Sequence, residues 1–178
     1  MRGTATIIAG LALLGLAGCK EQKVAIGAPI AGGAKAVAML HMVDGTEVGR
    51  ATATEVGGGL RVTIDVHNMP PGTHGAHIHT VGQCGAPDFA SAGGHWNPTG
   101  KKHGSMNAQG PHQGDMPNLV IGTDGRGAIG VTIPGATMAG LLDADGSSLV
   151  VHANQDDLMT DPSGNSGARI ACGVFGAS

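Results

Sequence analysis

Residues 60–69 read LRVTIDVHNM, and two sets of side chains alternate along them: Leu60, Val62, Ile64 and Val66 against Arg61, Thr63, Asp65 and His67. Successive side chains of a strand point to opposite faces, so a period of two predicts a half-buried β-strand. The same texture extends outward in both directions. Upstream lie KAVAMLHM (35–42) and EVGRATATEV (47–56), bounded by Asp44-Gly45 and Gly57-Gly58-Gly59. Downstream, Pro70-Pro71-Gly72 turns the chain into HGAHIHTV (74–81). Four further runs follow: NLVIGT (118–123), GAIGVTI (127–133), SSLVVHA (147–153) and ARIACGVF (168–175). Eight short strands, glycine-rich turns and no convincing amphipathic helix predict an all-β chain, an antiparallel sandwich or barrel. Two polar loops interrupt it, from about residue 82 to 117 and from 154 to 167.

Composition agrees with one domain. The chain has 178 residues, with two Phe, one Trp and no Tyr, so its core must come from Val, Ile, Leu, Ala and Met. A formal net charge of −3 gives no basic surface for nucleic acid.

The N-terminus is read separately. Arg2, an apolar run from Ile7 to Leu16 and small residues before Cys19 form an export signal over 1–18, too short and glycine-rich to span a bilayer. Leu16-Ala17-Gly18-Cys19 resembles a bacterial lipobox, which predicts a lipid anchor on Cys19; the alternative is an ordinary signal with a chance cysteine. Residues 19–33 then form a flexible tether and 34–178 the folded domain. Lys20 after the cysteine is not an aspartate-type retention signal, so the expected location is the outer membrane, facing the periplasm. The two remaining cysteines, Cys84 and Cys172, belong to no C-x-x-C, and in an exported chain they are expected to be bridged. A bridge over so long a loop contributes roughly 4–5 kcal/mol at most in the chain-entropy picture.

GGHWNPTGKKHGSMNAQGPHQGD (93–115) has almost no apolar side chain, too long a stretch to stay structureless in a compact domain without a reason. His95, His103, His112 and Asp115 supply three nitrogens and one oxygen, a closed tetrahedral set suited to Zn²⁺. Metal binding would order this loop where burial cannot. His77 and His79, at i and i+2 of a strand, share a face and can bind one borderline ion such as copper or zinc. His152 is a candidate to complete that site, which its spacing alone leaves open. Lone strand histidines such as His41 and His67 read as ordinary polar residues.

Taken together, HGAHIH (74–79), GGHWNPTGKKHG (93–104), GPHQGD (110–115), VVHANQDD (150–157) and GARIACG (167–173) resemble the copper/zinc superoxide dismutases, in order, across about 140 residues from Lys35 onward. The whole chain resembles a bacterial, lipoprotein-type member. The resemblance implies an eight-stranded Greek-key barrel with one copper and one zinc per subunit, superoxide as substrate, and room for a homodimer. It implies copper on His77, His79, His95 and His152, and zinc on His95, His103, His112 and Asp115, with His95 bridging both. Asp156 matches a carboxylate linking His77 to His103, Cys84 and Cys172 match the family disulfide, and His74 matches a structural histidine. Arg169 matches the arginine that orients the anion, and His95 is suited to deliver a proton. The loop after His152 lacks the lysine-rich stretch of eukaryotic relatives. A lipid-anchored metal buffer would have no use for Arg169, and a zinc hydrolase would need an open metal position and a general base.

Overall fold

The computed structural model describes residues 33–178. The expectations for the export signal, Cys19 and nearly all of the tether lie outside those residues. Ten strands make up the frame: β1 (Lys35–Met42), β2 (Glu47–Val56), β3 (Gly59–Val66), β4 (Gly72–His74), β5 (Ala76–His79), β6 (Leu119–Ile121), β7 (Gly127–Pro134), β8 (Ser148–His152), β9 (Arg169–Val174) and β10 (Gly176–Ala177). Every pairing is antiparallel. Eight strands form one sheet in the order β5-β8-β9-β1-β2-β3-β7, with β10 on β1, while β4 and β6 pair apart.

The alternation in residues 60–66 is the alternation of burial. Leu60, Val62, Ile64 and Val66 are at most 1% exposed, and the residues between them face solvent. Ala36, Ala38 and Leu40 of β1 and Ala51 and Ala53 of β2 pack against the same core. The small side chains of β1 and β2 let the sheet curl tightly around Leu, Ile and Val from β3, β5 and β8. In β2 the phase slips by one residue. Leu40 pairs with Gly49 but His41 with Glu47, so Val48 is the extra residue of a bulge. Gly49 has φ +138, and a side chain there would overlap the Asp65 carbonyl.

The sequence suggests eight strands, and the difference lies mainly at Gly75. The run HGAHIHTV is not one strand: His74 ends β4, paired with β6, and Ala76 begins β5, paired with β8. Gly75 sits at the crossing. Its N–H donates to the Asn154 carbonyl, its own carbonyl accepts from His152, and an added Cβ would lie 2.8 Å from the Ser166 hydroxyl. Backbone demands outside the run therefore divide it. A single helical turn, α1 (Met138–Leu141), capped by Thr137, also lies outside the strand pattern.

Cys84 and Cys172 are bridged, with Cα atoms 5.7 Å apart. The bridge fastens the start of the long loop to β9, beside buried Phe89, Ala92 and Val150.

Candidate metal centre

The long loop returns to the sheet at one place. Backbone bridges join His79 to His95 and His77 to Asp115, so the loop lies along β5. Six histidines and two aspartates then meet in a largely buried cluster: His77, His79, His95, His103, His112 and His152 with Asp115 and Asp156.

Carbonyl acceptors fix how the β5 and β8 histidines present themselves. His79 donates from Nδ1 to the Gly93 carbonyl at 2.9 Å, and His152 from Nδ1 to the Gly167 carbonyl at 3.2 Å. Their Nε2 atoms are left facing each other 3.4 Å apart. Burial drives His79 down to about 2 and His152 to about 3, so both rings are neutral and these nitrogens carry lone pairs. Two lone pairs at that distance repel unless a cation lies between them. His77 contributes similarly: Nε2 donates to Asp156 Oδ2 at 2.7 Å, burial lowers it to about 4, and Nδ1 is buried without a partner. His95 Nε2 is the second buried ring nitrogen without a partner among the described residues. His77, His79, His95 and His152 bring one ligand atom each within 4.8 Å of one another.

On the loop side of His95 the focus is Asp115. Its Oδ1 lies 2.8 Å from His95 Nδ1, 3.0 Å from His103 Nδ1 and 3.3 Å from His112 Nδ1. His112 Nδ1 is 3.4 Å from His95 Nδ1. Ligands at 2.0–2.1 Å from a tetrahedral zinc ion stand about 3.3 Å apart, so these separations fit the edges of such a site. The N–H groups of Gly104 and His112 both donate to Asp115 Oδ2, turning Oδ1 toward the three rings. A different foursome, His77, His95, His103 and Asp115, also lies within 4.8 Å. His77 is tied to Asp156 on the opposite side, so His112 completes the loop set more naturally.

Charge holds the two groups together without a metal. Burial pulls His103 down, yet hydrogen bonds and charges from Asp115 and Asp156 outweigh it and lift His103 to about 9. Burial raises both carboxyls, but hydrogen bonds from the histidines, His103 foremost, hold them well below the usual carboxylate range. Asp156, 1% exposed, spans the groups: Oδ2 takes His77, and Oδ1 takes His103 Nε2 at 3.0 Å.

Several positioning residues escape sequence reasoning. Asn118 brackets Asp156 through two amide hydrogen bonds, donating to its carbonyl at 2.9 Å and accepting from its N–H at 2.8 Å. Asp161 accepts from the His103 N–H and from Lys102. Gly164 has φ +61, and a Cβ there would overlap the Asp156 carboxylate. None of these stands at a ligand-like spacing; only the loop-to-loop contact reveals them. His74, by contrast, is where the sequence suggests: its ring nitrogens meet the carbonyls of His152 and Pro70, not the cluster.

Arg169 begins β9 opposite His152. Its two terminal nitrogens donate to the carbonyls of Phe89 at 2.6 Å and Gly93 at 2.7 Å.

Residues 47–175 match the family described as copper/zinc superoxide dismutase. A superoxide dismutase [Cu-Zn] 2 of Aquifex aeolicus is 42% identical over 147 residues, covering 79% of this chain and 86% of that protein. A superoxide dismutase [Cu-Zn] of Caulobacter vibrioides is also 42% identical over 147 residues, covering 79% and 84%. Among solved structures, a double mutant of a SOD-like protein from Bacillus subtilis superimposes with a TM-score of 0.73 at 42% identity, covering 78% of this chain and 95% of that one.

Proposed function

The chain belongs to the copper/zinc superoxide dismutases, and on that footing we propose that His77, His79, His95 and His152 hold its copper while His95, His103, His112 and Asp115 hold its zinc. It is an oxidoreductase: two superoxide anions and two protons become O₂ and hydrogen peroxide. Bound copper supplies the one-electron change of oxidation state that this reaction requires and that zinc lacks.

The pair of buried, partnerless ring nitrogens, His77 Nδ1 and His95 Nε2, carries the assignment. An unpaired buried polar atom costs about 1–3 kcal/mol. The two rings stack with centroids 3.9 Å apart and belong to one group with His79 and His152, so a ligand held by that group would satisfy both atoms. His95 faces one group through each ring nitrogen. With zinc held on its Nδ1 side, Nε2, which has no protein partner, would be the ring nitrogen able to take up a proton and hand it on. Arg169 uses one hydrogen of each terminal nitrogen on a carbonyl, leaving three of its five donors to orient an anion. The chain is net negative, so attraction depends on this local positive field.

The test is metal analysis of the purified protein with a superoxide assay before and after chelation. One copper and one zinc per chain are expected, with activity lost on chelation and restored by copper, not by zinc alone. Activity indifferent to chelation, or full copper retention in His152→Ala, would overturn the assignment. Every proposed ligand comes from one chain, so a homodimer would carry two self-contained centres.

The LAGC stretch before Lys20 supports an exported, lipid-anchored protein on the periplasmic side of the outer membrane. Two or more acyl chains on Cys19 would anchor it stably, where one is marginal. Cys19→Ser should move the protein from the membrane to the soluble fraction. A wild type that is wholly soluble and unmodified would refute this.

A further inference from the structure

The ring of His112 is turned so that Nδ1 meets the loop cluster, 3.3 Å from Asp115 Oδ1 and 3.4 Å from His95 Nδ1. Its Nε2 makes no hydrogen bond among the described residues. The charged group facing that nitrogen is Asp161, whose Oδ1 lies 3.8 Å away, an ion-pair separation rather than a hydrogen bond. The same Oδ1 accepts the His103 N–H at 2.8 Å, and Oδ2 takes Lys102 Nζ at 3.1 Å. The carboxylate is therefore fixed, with one oxygen on Lys102 and the other between two members of the zinc set. Packing alone leaves the His112 ring room to tilt, because it borders a cavity of about 460 Å³ shared with Lys101, Val131 and Leu158.

A histidine that ligates a metal almost always donates its other ring N–H to a carboxylate, a carbonyl or water, which fixes its tautomer and orientation. For His103 that partner is Asp156, 3.0 Å from Nε2. We propose that Asp161 is the corresponding positioning residue for His112. Zinc on Nδ1 would leave Nε2 as an N–H donor, and Asp161 Oδ1 is the acceptor that faces it. The inference rests on the zinc assignment above. It adds that the loop at 154–167 supplies one outer carboxylate to each of two zinc histidines, Asp156 to His103 and Asp161 to His112. Lys102 only orients the carboxylate: the side chains of that pair are 55% and 34% exposed, where an ion pair contributes little.

The test measures zinc affinity of the purified metal-free protein by competition with a chromophoric zinc chelator. Asp161→Asn keeps an oxygen for the His103 N–H but removes the charge facing His112, so it separates positioning from loop stability. Its zinc affinity should fall at least about tenfold. The melting temperature of the metal-free variant, and copper uptake before zinc is added, should stay near those of the parent. Asp161→Ala should lose as much zinc affinity and also melt lower, whereas Lys102→Met should bind zinc within about threefold of the parent. Cobalt(II) bound in place of zinc should show shifted visible bands in Asp161→Asn and parent bands in Lys102→Met, a signature that a merely structural carboxylate would not move. Parent-like zinc affinity and cobalt bands in Asp161→Asn would overturn the role of Asp161, as would an equal loss in Lys102→Met. Undiminished zinc affinity in His112→Ala would instead overturn the zinc assignment on which that role rests.

Discussion

Arg169 and His79 share a single acceptor: the guanidinium and the imidazole Nδ1 both donate to the carbonyl of Gly93, at 2.7 and 2.9 Å. The arginine is thus tied to a ring of the proposed copper set, and through Phe89 to the disulfide loop. Arg169→Lys keeps the charge but offers one point donor where two carbonyls wait. Each carbonyl keeps a second donor, His79 for Gly93 and the Ala92 N–H for Phe89. The loss is therefore that of one hydrogen bond to a charged donor, about 1.5–3 kcal/mol, and a modest fall in activity should come with a lower melting temperature. Arg169→Glu should cut activity at least about tenfold at low salt. Salt should slow the wild type by screening attraction and relieve repulsion in the Glu variant. Full activity of Arg169→Glu at low ionic strength would exclude an anion-guiding role.

His112 and His152 lie on different sides of His95, and their loss should separate the two groups. His112→Ala should expose residues 93–115 to protease and lower the melting temperature while copper still binds. His152→Ala should abolish activity with the loop still protected. Identical metal contents and cleavage patterns in both would mean a single undivided site.

His103 sets the direction of one pH effect. Lifted to about 9 in the metal-free protein, it is protonated at neutral pH and must give up that proton to coordinate zinc. Zinc uptake at pH 7 should therefore release about one proton, seen by calorimetry in buffers of different ionisation heat. Affinity should fall steadily as pH drops below about 9. Proton-neutral zinc binding at pH 7 would contradict the His103 role.

The buried rings act in the opposite sense on stability. His77, His79 and His152 titrate at about 4, 2 and 3 when folded, against about 6.5 when unfolded. The unfolded chain binds more protons in that interval, so the metal-free protein should lose stability as pH falls from 6.5 toward 4. His103, raised instead, adds stability below 6.5 that disappears as pH climbs through 9. A melting temperature of the metal-free protein that stayed flat from pH 6.5 to 4 would count against buried neutral rings.

The disulfide should matter most without metals. Cys172→Ser releases the loop from β9, and its cost is bounded at roughly 4–5 kcal/mol by loop closure. Metal coordination holds the same loop from its far end. The drop in melting temperature should therefore be larger for the metal-free than for the metal-loaded protein, measured side by side.

What the sequence makes legible follows from where each constraint originates. The alternation of Leu60 to Val66 is local, and it passes straight into the buried face of β3. The set His95, His103, His112 and Asp115 is also local, confined to one loop whose lack of apolar residues signals its purpose. The split at Gly75 is not local, because it depends on hydrogen bonds to Asn154 and His152 far along the chain. Asn118, Asp161 and Gly164 are hidden for the same reason: each acts on Asp156 or His103 across loop contacts that no spacing encodes. Arg169 is visible only by family resemblance, and its hold on Phe89 and Gly93 not at all.

Asp156 has one oxygen on His77 and the other on His103, a link that would make the occupancies of the two proposed sites statistically dependent. An ion that immobilises either ring also fixes the carboxylate against which the other ring is held, so the second ion meets a group already in place. Whatever factor zinc adds to copper affinity, copper must return to zinc. In a population given too little metal, ions will therefore gather in the same molecules, and doubly filled and empty chains will outnumber half-filled ones. Native mass spectrometry of such a sample would count the three species directly, and Asp156→Ala should bring their ratio back to that of independent sites.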